Sequence, residues 1–292
     1  ILDNRYLVVD EYALRRRISI FHLNGKFFKL IKTGGSVFGC CALKNGKIAY
    51  LSKRFPADEK KEKTVITRVY IQDVNTMKKK IVREYRSSVG KNRIRIGKVG
   101  IYFGTTKGSV LLARTSTGNL IVAKSDTAKI EIFDPDGRNI RQFNLDFQRA
   151  RITQPYLDAL KSDIIRQYQK RGANHIVKAI RKADLAQLFQ SHHPYYKYLA
   201  VDHAGNLLFF TYREVDQKDG KIPFEIYTVK GEHQGHACMH IENLQLGVDS
   251  RFQRMIFSKK ALFAYTGIED EAGDIDYRIF KFNLAAKQNP SR

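Results

Sequence analysis

Gly118-Asn119-Leu120-Ile121-Val122-Ala123, then Lys129-Ile130-Glu131-Ile132-Phe133, then Asp134-Pro135-Asp136-Gly137, is the stretch from which the fold is read. Each apolar run is short, rich in β-branched residues and closed by Gly, Asn or Asp, the pattern of antiparallel strands joined by tight turns. The same phrase recurs on both sides of it. Upstream it reads Arg5–Asp10 with Arg17–Phe21 and the turn Asn24-Gly25, then Gly46–Leu51 with Val65–Ile71. Downstream it reads Gly205–Phe210 with Phe224–Tyr227, then Ala261–Tyr265 with Asp276–Phe282.

Three copies are preceded by a further apolar run ending at the turn: Ser36–Leu43, Ser109–Ala113 and Tyr198–Val201. Most are followed by a fourth, such as Phe27–Ile31, Ile81–Tyr85 and Ile140–Phe143. Four antiparallel strands per unit, repeated radially, is the arithmetic of a β-propeller, which leaves only short, protected edges. The expected fold is therefore all-β, a propeller of four-stranded antiparallel blades. Four to five blades are visible and six are expected in the complete ring. The first copy lacks an inner strand and the last lacks an obvious fourth, as when one terminus completes the blade begun by the other, or when a blade lies upstream.

Residues 153–191 break the pattern with helical spacing. Thr153 is placed to cap a helix, Pro155 sits in its first turn, and Leu157, Leu160, Ile164 and Tyr168 share a face. Gly172 offers a stop, and Ile176, Ile180 and Leu188 mark a second short helix. The expected organisation is one propeller domain over 1–286, interrupted by this helical insertion, and a tail over 287–292. The insertion reads equally as a cap on one mouth of the ring and as a lid or docking element.

The chain has 292 residues, 43% hydrophobic and 28% charged, which suits a folded globular body. Its longest run without Asp, Glu, Lys or Arg is Leu185–Tyr196, too short for a membrane-spanning helix. The formal net charge is +23 and uneven: residues 1–100 carry net +16, whereas 201–250 carry net −4. Such a field draws anions to one side. The basic residues come as singles and short clusters, Arg15-Arg16-Arg17 or Lys78-Lys79-Lys80, without the aromatic-interleaved motifs of nucleic-acid modules, so nucleic acid is a disfavoured partner. Cys40, Cys41 and Cys238 are too few and too odd for a disulfide framework, and the first two should point to opposite faces of a strand. The chain opens at Ile1 with no signal peptide, which leaves a cleaved leader or a start inside a longer polypeptide as the expectations.

Val201-Asp202-His203-Ala204-Gly205-Asn206-Leu207 and Ile130–Arg138 resemble the strand-to-turn steps of bacterial six-bladed β-propeller proteins related to NHL repeats, and Val8–Asp10 with Ile18–Gly25 is a looser copy. The resemblance covers most of the chain outside the insertion. It implies an exported or envelope-associated protein, in the periplasm or cell envelope, that binds rather than catalyses. The very basic first third departs from that pattern.

Candidate chemistry is sparse. His236, Cys238 and His240 alternate on one strand face, where two imidazoles and a thiolate suit Zn²⁺, although plain alternation gives the same spacing. Glu269-Asp270-Glu271 with Asp274 and Asp276 is acidic enough for Ca²⁺ but reads as a solvated hairpin loop, which leaves Asp202 as the main acid near an inner strand. No Gly-x-Ser-x-Gly elbow or phosphate-binding Gly-Lys-Ser/Thr loop occurs, and Gly97–Gly100 and Gly104–Gly108 read as turns. The favoured site is an anion-binding channel mouth formed by Arg93, Arg95, Arg114, His192, His193, Tyr195 and Tyr196, because guanidinium forks suit carboxylate, phosphate or sulfate. The expected function is non-enzymatic recognition of an anionic small molecule, glycan or protein partner, with no cofactor. The alternative is a metal-dependent lactonase- or lyase-like hydrolase at the channel mouth.

Overall fold

A computed structural model describes residues 2–3, 5–11, 16–55, 64–88, 93–96, 99–102, 108–189, 191–212, 221–240, 254–257, 261–269 and 275–283. Its strands form antiparallel sheets in which neighbours in sequence are neighbours in space. The first sheet holds β1 (Tyr6–Glu11), β2 (Arg17–His22) and β3 (Phe27–Lys32). The second holds β4 (Ser36–Ala42), β5 (Lys47–Arg54), β6 (Thr64–Asp73) and β7 (Lys79–Ser88). A lone hairpin, β8 (Arg93–Ile96) and β9 (Val99–Tyr102), comes next.

The third sheet is β10 (Val110–Arg114), β11 (Leu120–Lys124), β12 (Lys129–Phe133) and β13 (Asn139–Asn144). After the insertion comes the fourth sheet, β14 (Tyr198–Val201), β15 (Leu207–Phe210), β16 (Lys221–Tyr227) and β17 (His233–His240). The last is β18 (Arg254–Phe257), β19 (Ala261–Glu269) and β20 (Ile275–Asn283).

The sheets stand side by side through their first strands: β4 touches β10, β10 touches β14, and β14 touches β18, while β1 packs on β4. This is propeller-like order. The hairpin β8–β9 stands outside it, because β4 and β10 meet directly and β8 packs against the insertion. Arg93 and Arg95 are therefore on that hairpin rather than in the inner row, and Val99-Gly100, read above as part of a turn, begins β9.

The turns show why the recurring motif has its residues. In Thr115–Asn119, Asp202–Asn206 and Leu43–Lys47 the first residue's N–H donates to the carbonyl of the fifth. Thr115 Oγ1 accepts the N–H of Asn119 and Asp202 Oδ1 that of Asn206, so the first side chain closes the turn. Gly118, Gly205 and Gly46 fill the left-handed position at φ +86, +90 and +68. Leu2–Tyr6 repeats the same bonds, Leu2 N–H to Tyr6 O and Arg5 N–H to Leu2 O. This makes β1 the equivalent of β5, β11 and β15, so the first sheet supplies strands two to four of a blade, as the sequence pattern implied.

The glycines also let the sheets approach. A Cβ at Gly118 would lie 2.2 Å from Lys44 Cγ, and one at Gly205 would lie 3.1 Å from Ser116 Oγ. Lys44 and Ser116 hold the same place in their own turns, so the contact repeats from one sheet to the next. Between sheets lie apolar layers. Ile18, Ile20, Val37, Ile48 and Tyr50 pack between the first and second, and Leu51, Val69, Leu120 and Val122 between the second and third. Cys40 packs on the former and Cys41 on the latter, on opposite faces as expected. Burial pushes the Cys41 thiol up to about 12, which keeps it protonated and unreactive.

The insertion folds as α1 (Gln154–Lys170), α2 (Asn174–Lys182) and a single 3₁₀ turn over Leu185–Leu188. Thr153 caps α1 through Oγ1, which accepts the Tyr156 N–H, and Gly172 at φ +68 ends it. Tyr156, Leu157, Leu160, Ile176, Ile180 and Leu185 form its own small core. The other side of α2 exposes His175, Lys178, Arg181 and Lys182. No helix among the described residues is long and apolar enough to cross a membrane.

Candidate functional site

The residues proposed for the channel mouth divide into three groups. Arg93 and Arg95 lie on β8, paired with Tyr102 and Gly100. Arg114 ends β10, exposed, opposite Leu120 and near enough to favour the Cys41 thiolate. His192, His193, Tyr195 and Tyr196 are brought together where the insertion enters the fourth sheet.

That junction is built from both of its strands of chain. Arg151 and His192 pair as an isolated antiparallel bridge, and His193 N–H donates to Ala150 O at 2.9 Å. Arg149 Nε donates to His193 O at 2.6 Å and Nη2 to His192 O at 3.1 Å, with its guanidinium 5.7 Å above the Tyr195 ring. Tyr195 N–H donates to Ser125 O at 2.6 Å, tying the junction to the third sheet.

His193 is 2% exposed. Its ring stacks on Tyr212 at 4.3 Å and takes the edge of Tyr156, from α1, at 4.5 Å. Lys197 Nζ stands 4.8 Å over the other partner, Tyr212. Burial, reinforced by the positive charges of Lys197, Arg149 and His192, pulls the His193 pKa down to about 3, so the ring is neutral at physiological pH. Its Nδ1 is buried with no hydrogen-bond partner among the described residues, as is the Tyr196 hydroxyl. Sequence reasoning found the two histidines and two tyrosines here. It missed Lys197, which directly follows that run, and Arg149, Tyr156 and Tyr212, which are distant in sequence and are brought to it by the fold.

The acids and thiols considered for metal binding are placed differently. Asp202 is absorbed by its own turn: Oδ1 accepts the Asn206 N–H and Oδ2 the Asn206 amide, at 2.8 and 2.9 Å. His236 and Cys238 sit exposed on β17, opposite Glu225 and Pro223, and the side chain of His240 lies outside what is described. Among the described residues no cluster of three or more His, Cys, Asp or Glu is arranged to hold a metal ion. Glu269 ends β19 and Asp276 lies on β20, while Asp270, Glu271 and Asp274 fall outside the described residues.

A second concavity lies on the turn side of the sheets. A half-open cleft of about 350 Å³ between the first and second sheets is lined by Leu2, Asp3, Arg5, Tyr6, Asn45, Gly46, Val74 and Asn75. An equivalent cleft of about 150 Å³ lies between the third and fourth, lined by Thr115–Thr117 and Asn119, by Ile132, Ile140 and Arg141, and by Ala204, Gly205 and Val229.

No family model and no curated protein sequence matches the chain. Among solved structures, it is similar to a member of the DUF4221 family from Bacteroides vulgatus, at 11% identity and a TM-score of 0.44, over 97% of this chain and 76% of that one. It is also similar to a luciferin-regenerating enzyme, at 9% identity and a TM-score of 0.43, over 96% and 73% of the two chains. A third is the virginiamycin B lyase from Staphylococcus aureus, at 11% identity and a TM-score of 0.36, over 97% and 85%.

Proposed function

We propose that this chain is a non-enzymatic binding propeller that recognises an anionic partner where the helical insertion joins the fourth sheet. The observation that carries this reading is the gathering of cationic side chains at that junction. Arg149 and Lys197 stand close enough to His193 for their positive charge to lower its pKa, and Arg151 pairs with His192 beside it. Arg149 is held by two backbone carbonyls and fixes the loop. Arg151, His192 and Lys197 form the rim, with Tyr195 and Tyr212 as its apolar floor. An anion arriving there gains charge-assisted hydrogen bonds and offsets repulsion already built into the site. We further propose a complete ring of six blades, related to NHL repeats, acting in a bacterial cell envelope.

The test is calorimetric titration with inorganic phosphate, citrate and polygalacturonate at two ionic strengths. Binding should be lost, by at least tenfold in Kd, in the double variant Arg151→Ala/Lys197→Ala. It should persist in Lys26→Ala/Lys78→Ala, which removes the same charge from exposed turns. Equal weakening in both variants would reduce the effect to net charge and sink the site.

A further inference from the structure

The two inter-sheet clefts occupy the same place in the repeat, yet they differ in what lines them. In each, a first-to-second-strand turn of one sheet faces the turn glycine of the next: Leu2–Tyr6 faces Gly46, and Thr115–Asn119 faces Gly205. A purely structural joint needs only the close approach. The third-to-fourth joint matches that, with Ser116 Oγ against Gly205 and walls of Ile132, Ile140 and Val229 around about 150 Å³.

The first-to-second joint is larger, about 350 Å³, and its rim is polar from both sides. One sheet contributes the Asp3 carboxylate and the Arg5 guanidinium, and the other the amides of Asn45 and Asn75, all four exposed. Asp3 Oδ2 accepts the Gly46 N–H at 2.6 Å, which fixes the carboxylate and leaves Oδ1 as an acceptor. A Cβ at Gly46 would lie 2.9 Å from the Asn75 Nδ2, so the glycine is what lets that amide lean over the cleft. Asn75 is itself anchored through its backbone N–H to Asp73 Oδ1 at 2.8 Å. Tyr6 closes the inner wall, its ring stacked on Phe28 at 4.6 Å.

We infer that this cleft is a binding site for a hydroxylated, singly carboxylated ligand of uronic-acid size. The volume falls at the lower end of the range for small-molecule sites. Two amides, each both donor and acceptor, together with one carboxylate, match neighbouring hydroxyl groups, which are also both donor and acceptor. Arg5 supplies the planar fork that fits a carboxylate. This site is separate from the insertion junction and does not depend on it.

The experiment titrates the chain with D-glucuronate and with D-glucose, following perturbed amide resonances and the melting temperature. Glucuronate should bind and perturb Gly46 and Asn75, with glucose at least tenfold weaker. Arg5→Met should remove that preference, leaving the two sugars equal, and Gly46→Ala should weaken both by displacing the Asn75 amide. Arg141→Met, at the equivalent cleft, should change neither. Absence of binding in the wild-type chain, or the same loss in Arg5→Met and Arg141→Met, overturns the inference. Binding abolished by Arg151→Ala/Lys197→Ala with Arg5→Met silent assigns the sugar to the junction instead.

Discussion

The joint between the second and third sheets and the joint between the third and fourth have the same backbone geometry and opposite chemistry. The former is sealed by charge. Glu131, 4% exposed, receives Arg83 in a two-pronged bond at 2.6 and 2.7 Å and Lys129 at 3.0 Å, while Arg83 also lies over the Phe133 ring. Lys47 pairs with Asp136, and Lys80 donates to the carbonyls of Asp136 and Gly137. The latter joint is sealed by rings. Tyr227 packs on Phe143, Phe147 and Phe209 and donates its hydroxyl to Asp146, and a Cβ at Gly231 would meet the Phe143 ring at 2.6 Å. The glycine-on-turn contact sets the spacing, and the side chains around it are free to choose how the joint is held. Joints held so differently should fail under different conditions.

Removing one partner of the buried pair should do the most damage. Arg83→Met leaves the Glu131 carboxylate buried with only Lys129 and the Asn139 amide beside it and should cost about 3 kcal/mol. Glu131→Gln, which keeps the shape and lets Arg83 turn to water, should cost less than half as much. Denaturant melts of the two variants measure the asymmetry, and equal losses would mean that the guanidinium contributes packing rather than charge.

Acid should separate the joints next. Burial alone would raise the Glu131 pKa, but the bonds from Arg83 and Lys129 outweigh it and hold the carboxyl below its ordinary 4.5, so the charged joint survives mild acid. His193 behaves in the opposite way. Its folded pKa of about 3 lies below its ordinary 6.5, so its contribution is fully present above pH 6.5 and is lost as pH falls toward 3. The loss should reach about 2 kcal/mol by pH 5. His193→Phe should flatten stability between pH 6.5 and 5 in melts across that range. An unchanged slope would place the acid sensitivity elsewhere.

The smallest effect distinguishes two buried phenols. Tyr227→Phe deletes a hydroxyl that has a partner and should lower Tm by about 3 °C. Tyr196→Phe deletes one that has none among the described residues and should leave Tm unchanged or raise it. Calorimetry on both settles the sign.

Most strands were legible because each is bounded by a residue with a local duty: Asp202 and Thr115 close their turns with their own side chains, and Gly118 and Gly205 take the left-handed position. The α1 start was legible for the same reason, through Thr153. The hairpin β8–β9 was not. Arg93-Ile94-Arg95-Ile96 alternates like any strand, but Gly97 and Gly100 read as one turn, and only packing on the insertion reveals that the hairpin stands outside the row. Half of the junction was visible as His192–Tyr196. Arg149, Tyr156 and Tyr212 join it through tertiary return of the chain, which no local pattern records. The inter-sheet cleft escaped because its four polar residues come from three separate turns, around Asp3, Asn45 and Asn75, each unremarkable alone.

The contact of Lys44 on Gly118 and of Ser116 on Gly205 makes the third sheet a tile with a knob on one side and a hole on the other. Knob and hole belong to the same turn, so the backbone half of each joint travels with that turn. Such head-to-tail joints grow by repetition. A duplicated gene segment encoding one such sheet would arrive with the backbone half of both joints already made, so that only the side chains sealing them would have to change.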